Sequence, residues 1–224
     1  MNLFYHTQPV WICKLTTNIN NYLSFKGSAV IAMAGNQCVG IASDKRFGAK
    51  QQTIGMNMER VFKINNRTLI GFGGLASDVS TVYEDLKMKT DLYKLREDRD
   101  IKPRTFDSLV SNYLYSKRFG PFFVEPLIAG LEGEDFTPFL SGQDLIGMPV
   151  FTDNFVVVGT ADASLYGVCE SFFKPNLGPD ELSEVMAQCI VNATDRDCLS
   201  GYGATIFILT PDRLIVREVQ GRHD

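Results

Sequence analysis

Residues 28–43, SAVIAMAGNQCVGIAS, carry the first clear structural signal in this chain. Ser28–Ala34 is a short apolar run, Gly35-Asn36-Gln37 has turn chemistry, and Cys38–Ser43 is apolar again. Two runs of strand length, rich in small and β-branched residues and separated by turn formers, predict a hairpin of two buried strands.

Downstream, Arg67–Gly74 (RTLIGFGG) reads as a further strand that ends at paired glycines, where a chain can turn sharply. Leu75–Arg96 then places Val79, Val82, Tyr83 and Leu86 at helical spacing, with Ser77 as the expected N-cap. A second helix is expected after Pro103, capped by Thr105, with Phe106, Leu109, Val110, Tyr113 and Leu114 on one face. Strands return at Val124–Leu131, Pro138–Gly142 and Phe155–Val158. One or two helices follow, the clearest from Pro179-Asp180 with Leu182, Val185, Met186, Cys189 and Ile190 on one side. Ala204–Leu209 and Arg213–Val219 close the chain as strands. Blocks of hairpin strands alternating with blocks of helices predict an α+β fold of stacked antiparallel sheets flanked by helix layers, not a doubly wound parallel sheet.

Upstream, residues 1–27 differ in character: they hold the single Trp, two Asn-rich turns and no sustained period, which reads as an extension or propeptide. Their apolar stretch is broken by Gln8, Pro9 and Lys14, so the apolar core of a secretory signal is missing. The expected division is therefore 1–27 as extension and 28–224 as one domain.

Composition narrows the function classes. The 224 residues are 45% hydrophobic and 21% charged, ordinary for a globular chain. A net charge of −4 offers no basic stripe for phosphates, which argues against nucleic acid, and no apolar run of 18 residues suggests a membrane span. Cys13, Cys38, Cys169, Cys189 and Cys198 lack paired spacing, and His6 and His223 are the only histidines. No metal and no cofactor are expected, and the cysteines read as buried free thiols of a reducing compartment. With each histidine near a terminus, any hydrolytic chemistry is expected to proceed without one.

Five short elements add identity. Asp44-Lys45-Arg46-Phe47-Gly48 follows the second strand, and Gly73-Gly74-Leu75-Ala76-Ser77-Asp78 opens the first long helix. Lys117-Arg118-Phe119-Gly120-Pro121, Asp144-Leu145-Ile146-Gly147 and Asp195-Arg196-Asp197-Cys198-Leu199-Ser200-Gly201 come next in order. The ordered series, from Gly27 to the C-terminus, resembles the beta subunits of the eukaryotic proteasome and, among them, the non-catalytic members. That resemblance implies a four-layer αββα sandwich of the N-terminal-nucleophile hydrolase type. It also implies a place in a seven-membered ring of beta subunits, in contact with alpha subunits and an opposite beta ring, acting on unfolded polypeptides in cytoplasm and nucleus.

Active members of that family use an N-terminal threonine freed by self-cleavage after a glycine. Its hydroxyl attacks the scissile carbonyl and its α-amino group is the base; a lysine held by an aspartate tunes both, and a backbone N–H stabilises the oxyanion. By the resemblance, the nucleophile position falls on Ser28, the strand-end aspartate and arginine on Asp44 and Arg46, and the lysine on Arg60. The oxyanion glycine is Gly74, and the later aspartate and serine are Asp197 and Ser200. Serine keeps the nucleophilic atom, but the non-catalytic members carry glycine there, so Ser28 departs from both patterns. Arginine for lysine is the larger change: guanidinium is planar, bulkier and permanently charged. The resemblance thus implies a subunit without chemistry of its own. A plainer reading of the same residues stands beside it: Asp44 and Arg46 as an ion pair at a strand end, Gly73-Gly74 as a turn, and Asp197 and Ser200 as helix-ending caps.

The resemblance further implies that Asp144 and Met148 line the substrate cleft of a neighbouring beta subunit that cuts after basic residues, where a carboxylate favours cationic side chains. A turn aspartate capping backbone amides is the alternative. The aromatic segments Tyr113-Leu114-Tyr115 and Phe119–Phe123 suit subunit interfaces, with Tyr113 and Leu114 read as core.

Overall fold

The computed structural model describes residues 27–222. His6, Cys13, His223 and the extension before Gly27 therefore lie outside the described residues.

Strands β1 (Ala29–Ala34) and β2 (Val39–Asp44) form the expected hairpin, in register from Val30 opposite Ser43 to Ala34 opposite Val39. Both are buried along their whole length. That is why their sequence is continuously apolar: each face of the pair meets a different core. A small hairpin of β3 (Phe47–Ala49) and β4 (Gln52–Gly55) comes next. Then come β5 (Val61–Asn65), β6 (Thr68–Gly74), α1 (Ala76–Glu97), α2 (Pro103–Ser116), β7 (Val124–Glu132), β8 (Thr137–Gln143), β9 (Pro149–Thr152) and β10 (Phe155–Gly159). The chain finishes with α3 (Asp162–Phe172), α4 (Pro179–Thr194), β11 (Ala204–Leu209) and β12 (Leu214–Val219).

One five-stranded sheet runs β10-β1-β2-β11-β12 and the other β5-β6-β7-β8-β9, and every pairing in both is antiparallel. Alternating side chains sort into three cores. Val30, Ala32 and Ile41 of the first sheet meet Leu69, Leu127, Ala129 and Leu140 of the second. On the outer side of β1, Ile31 and Met33 pack with Leu165 and Cys169 of α3 and with Leu182, Met186 and Cys189 of α4. On the outer side of the second sheet, Ile70, Phe72 and Ile128 pack with Val79, Val82 and Leu86 of α1 and with Phe106, Val110 and Leu114 of α2. Helix pair, sheet, sheet and helix pair follow one another in that order.

The helix starts differ from expectation. Ser77 and Thr105 are not caps; both lie inside the first turn, because α1 starts after Leu75 and α2 starts after Lys102 with Pro103 at its first position. Pro103 needs no N–H partner there and presets φ, so a side-chain cap is dispensable. Of the cysteines, Cys38, Cys169 and Cys189 are buried free thiols, but Cys198 is exposed, since it sits in the loop after α4 rather than on the helix face. Tyr113 is half-buried and Leu114 fully buried, whereas Tyr115 and Phe119 stand in solvent, Phe119 at 98% exposure. Ile54, Met56 and Leu95 are exposed as well. No described helix is long and apolar enough to cross a membrane.

Candidate functional site

The ends of β1, β2, β6 and β10 converge with the loop after α4, and six of the residues singled out from sequence meet there: Ser28, Asp44, Arg60, Gly74, Asp197 and Ser200. Ser28 precedes β1 and is only 1% exposed. Its hydroxyl accepts a hydrogen bond from the Gly74 amide at 3.3 Å. Gly74 ends β6 with φ +106, a conformation glycine adopts without steric cost, and this turns its N–H toward the hydroxyl.

Asp44, at the end of β2, is fully buried. Its Oδ1 accepts from the Ala29 amide at 3.0 Å and its Oδ2 from the Gly201 amide at 3.4 Å. Burial raises the carboxyl pKa, while the Arg60 guanidinium and the amides around it pull the other way. Arg60, just before β5, is 1% exposed, and its Nε lies 3.1 Å from Asp44 Oδ1. The Nε–H does not point at that oxygen, so the contact is an ion pair rather than a hydrogen bond, and Nη1 finds no partner among the described residues. Nη2 donates to the carbonyls of Gly27 and Arg46, both at 2.8 Å. A partly satisfied buried guanidinium costs several kcal/mol of desolvation, which only its carboxylate partner and these carbonyls offset.

The expected strand-end ion pair is corrected here. Asp44 pairs with Arg60, not Arg46. The Arg46 side chain, 2% exposed, turns to the Leu199 carbonyl (2.7 Å), the Lys50 carbonyl (3.0 Å) and the Thr53 hydroxyl (3.1 Å). It stitches the β3–β4 hairpin to the loop after α4. β3 opens three residues after Asp44, and that short excursion carries Arg46 away from the carboxylate.

Asp197 and Ser200 also reach the site, through a residue not anticipated from sequence. Thr160, just past β10, accepts from the Ser28 amide at 3.2 Å and donates to Asp197 Oδ2 at 3.2 Å, while Ser200 donates to the same oxygen at 2.7 Å. The Thr160 amide in turn donates to the Ser28 carbonyl at 2.8 Å. A hydroxyl-bearing residue next to Gly159 at the end of a buried strand was the available signal. Asp197 Oδ1 accepts from the Leu199 amide at 3.1 Å, so its capping role coexists with the contact to Thr160.

Asp144 and Met148 lie elsewhere, in the β8–β9 turn. Asp144 Oδ1 accepts from the amides of Ile146 (3.0 Å) and Met148 (2.8 Å), so the turn-capping geometry is present. Both side chains remain exposed, Met148 at 63%. The turn is tied to α2 by Ser111, whose hydroxyl donates to the Gly147 carbonyl at 2.6 Å. Beside it lies an open cavity of about 370 Å³ bordered by Asp144, Met148, Glu125 and Asp162. Burial, then the Asp162 and Asp144 charges, raise the Glu125 pKa against the hydrogen bond it accepts from the Gly159 amide.

Comparison with known proteins agrees with this architecture. The family model described as proteasome subunit matches residues 24–209. Proteasome subunit beta type-3 of Dictyostelium discoideum is 49% identical over 202 residues, covering 90% of this chain and 98% of its own. The beta type-3 subunit of Oryza sativa subsp. japonica is 50% identical over 200 residues, covering 89% and 98%. That of Drosophila melanogaster is 46% identical over 202 residues, covering 90% and 98%. Beta type-3 members are also those that the R-F-G-P, D-L-I-G and R-D-x-x-S-G elements most resemble. On the family match and these relatives, the chain belongs to the proteasome subunit family.

Proposed function

We propose that this chain is a non-catalytic beta subunit of the 20S proteasome core, with residues 28–224 as an N-terminal-nucleophile-type αββα sandwich and residues 1–27 as an extension. Its work is structural: it fills a place in a seven-membered beta ring, touches alpha subunits and the opposite beta ring, and serves ubiquitin-dependent degradation of unfolded polypeptides in cytoplasm and nucleus. The observation that carries this reading is Arg60, buried against Asp44 beside Ser28 where an active member needs a lysine. A guanidinium stays charged at any physiological pH and cannot exchange a proton with the nucleophile or the amine.

In the same reading Asp144 and Met148 border the cleft of the neighbouring beta type-2 subunit. The Asp144 carboxylate, exposed at a turn held by α2, favours substrates with basic side chains.

A second reading, an active N-terminal serine subunit freed of residues 1–27, draws support from the Gly74 amide at the Ser28 hydroxyl and from the Thr160–Asp197–Ser200 hydroxyl network. Peptide turnover by native particles carrying Ser28→Ala separates the two. The non-catalytic reading expects turnover equal to wild type for every substrate class, and loss of any one class would overturn it.

A further inference from the structure

Two of the buried thiols meet across a helix pair. Cys169 lies on α3 and Cys189 on α4, both fully buried in the core between those helices and the first sheet. The Cys169 S–H donates to the Cys189 sulfur, so no side chain separates them. Ile31, Met33, Leu165, Leu182 and Met186 share that core and supply no charged group. Accepting the hydrogen bond lowers the Cys189 pKa against its burial, whereas donating it, together with burial, raises that of Cys169. The third thiol of this core, Cys38, is engaged elsewhere: it donates to the Leu177 carbonyl at 3.8 Å, and burial pushes it up to about 11. α3 buries fewer side chains than any other described helix, only Leu165 and Cys169.

We infer that Cys169 and Cys189 form a modification site for hydrogen peroxide, closing into a disulfide that staples α3 to α4. Cys189 is the attacking thiol, because the S–H it accepts favours its thiolate over that of Cys169. Its sulfur attacks one peroxide oxygen and the O–O bond breaks. The departing oxygen leaves as water with the thiol proton, and Cys189 becomes a sulfenic acid. The Cys169 sulfur then attacks the Cys189 sulfur, the S–O bond breaks, and a second water leaves with the Cys169 proton. One peroxide is thereby reduced to two waters while two thiols are oxidised to one disulfide. The surroundings favour the second step: a sulfenic acid is a polar group in an apolar core, whereas the disulfide is neutral and apolar. Entry depends on α3, whose few anchors make it the helix that opens most readily to a molecule as small as hydrogen peroxide. Cys198, exposed in the loop after α4, belongs to no such pair among the described residues and serves as an internal reference for oxidation. The cross-link is independent of whether the subunit is catalytic, and a dithiol reductant reopens it.

The test exposes assembled particles containing the full chain to hydrogen peroxide, blocks the remaining thiols under denaturing conditions and maps the chain by mass. Wild type should lose the mass of two hydrogen atoms and yield a Cys169–Cys189 cross-linked peptide that dithiothreitol abolishes. Cys169→Ala and Cys189→Ala should each lose that product. In the cross-linked wild type, amide hydrogen exchange along α3 should be slower than in the reduced form. Cys169 and Cys189 both free once Cys198 is oxidised would overturn the site. So would either of them accumulating as a sulfinic or sulfonic acid without the cross-link, or pairing with a different cysteine. Unchanged exchange along α3 in the cross-linked form would overturn the staple. If the alanine variants do not assemble, the wild-type peptide map decides the question alone.

Discussion

The Arg60 guanidinium lies 3.1 Å from the Asp44 carboxylate with neither side chain reaching solvent. The pair joins β2 to the chain entering β5, and so ties the two sheets together at the mouth of their shared core. Removing one partner strands a buried charge, whereas removing both does not. Asp44→Asn alone should therefore cost about 3–5 kcal/mol of stability. The double replacement Asp44→Asn with Arg60→Met should cost less than the sum of the single changes. Denaturant midpoints for the four forms provide the cycle, and simple additivity would contradict the coupling.

Asp144 combines a turn cap with an exposed charge, and one substitution separates them. Asp144→Asn keeps an oxygen to accept from Ile146 and Met148 but loses the charge, whereas Asp144→Ala loses both. If the charge tunes a neighbouring cleft, both variants should slow cleavage after basic residues in assembled particles. The expected loss is about two- to fivefold, the scale of a solvent-exposed charge pair. If only the cap matters, Asp144→Asn should match wild type, and kcat/KM on basic and neutral peptides reports the difference.

Glu125 gives a signed pH dependence. Its carboxyl pKa is raised by burial and then by Asp162 and Asp144, with the Gly159 amide opposing. A folded pKa above the unfolded value means the folded state binds the proton more readily. The group's stabilising contribution is present below the unfolded value, about 4.3 for glutamate, and is lost as pH rises through the folded one. Glu125→Gln should therefore raise the melting temperature relative to wild type at neutral pH, with the advantage shrinking toward about pH 4. Equal differences at both pH values would contradict it.

Gly27 should tolerate no side chain. Its Cβ would strike a backbone carbonyl, which cannot move as a flexible side chain could, so Gly27→Ala should destabilise the chain by about 2–4 kcal/mol. Thermal melting checks this, and a shift close to zero would mean that the Leu199 loop yields.

Elements whose burial is regular were readable from sequence. The β1–β2 hairpin, α2 behind Pro103 and α4 behind Pro179 each couple a strong local start signal to a long apolar pattern. The β3–β4 hairpin was not, because its strands are three and four residues long and half-exposed, so no alternation develops. Ser28, Asp44, Arg60, Asp197 and Ser200 could be placed in one site because the motif order fixes them. Thr160 could not: its role depends on Ala29 pairing with Gly159, a contact between residues 130 positions apart that no local pattern encodes. The exchange of Arg46 for Arg60 as partner of Asp44 has the same origin. Proximity in sequence favoured Arg46, and the turn into β3 took it elsewhere.

Phe119, Leu95, Ile54 and Met56 remain bare in the single chain. Proteasome subunits work in company, and until partners arrive such residues are the kind of surface that chaperones and degradative enzymes grip. A copy made in excess of its partners should thus be short-lived, and pulse-chase labelling with and without matched partner supply would reveal it. The same bare surface would mark an unclaimed copy as prey for the cell's degradation machinery.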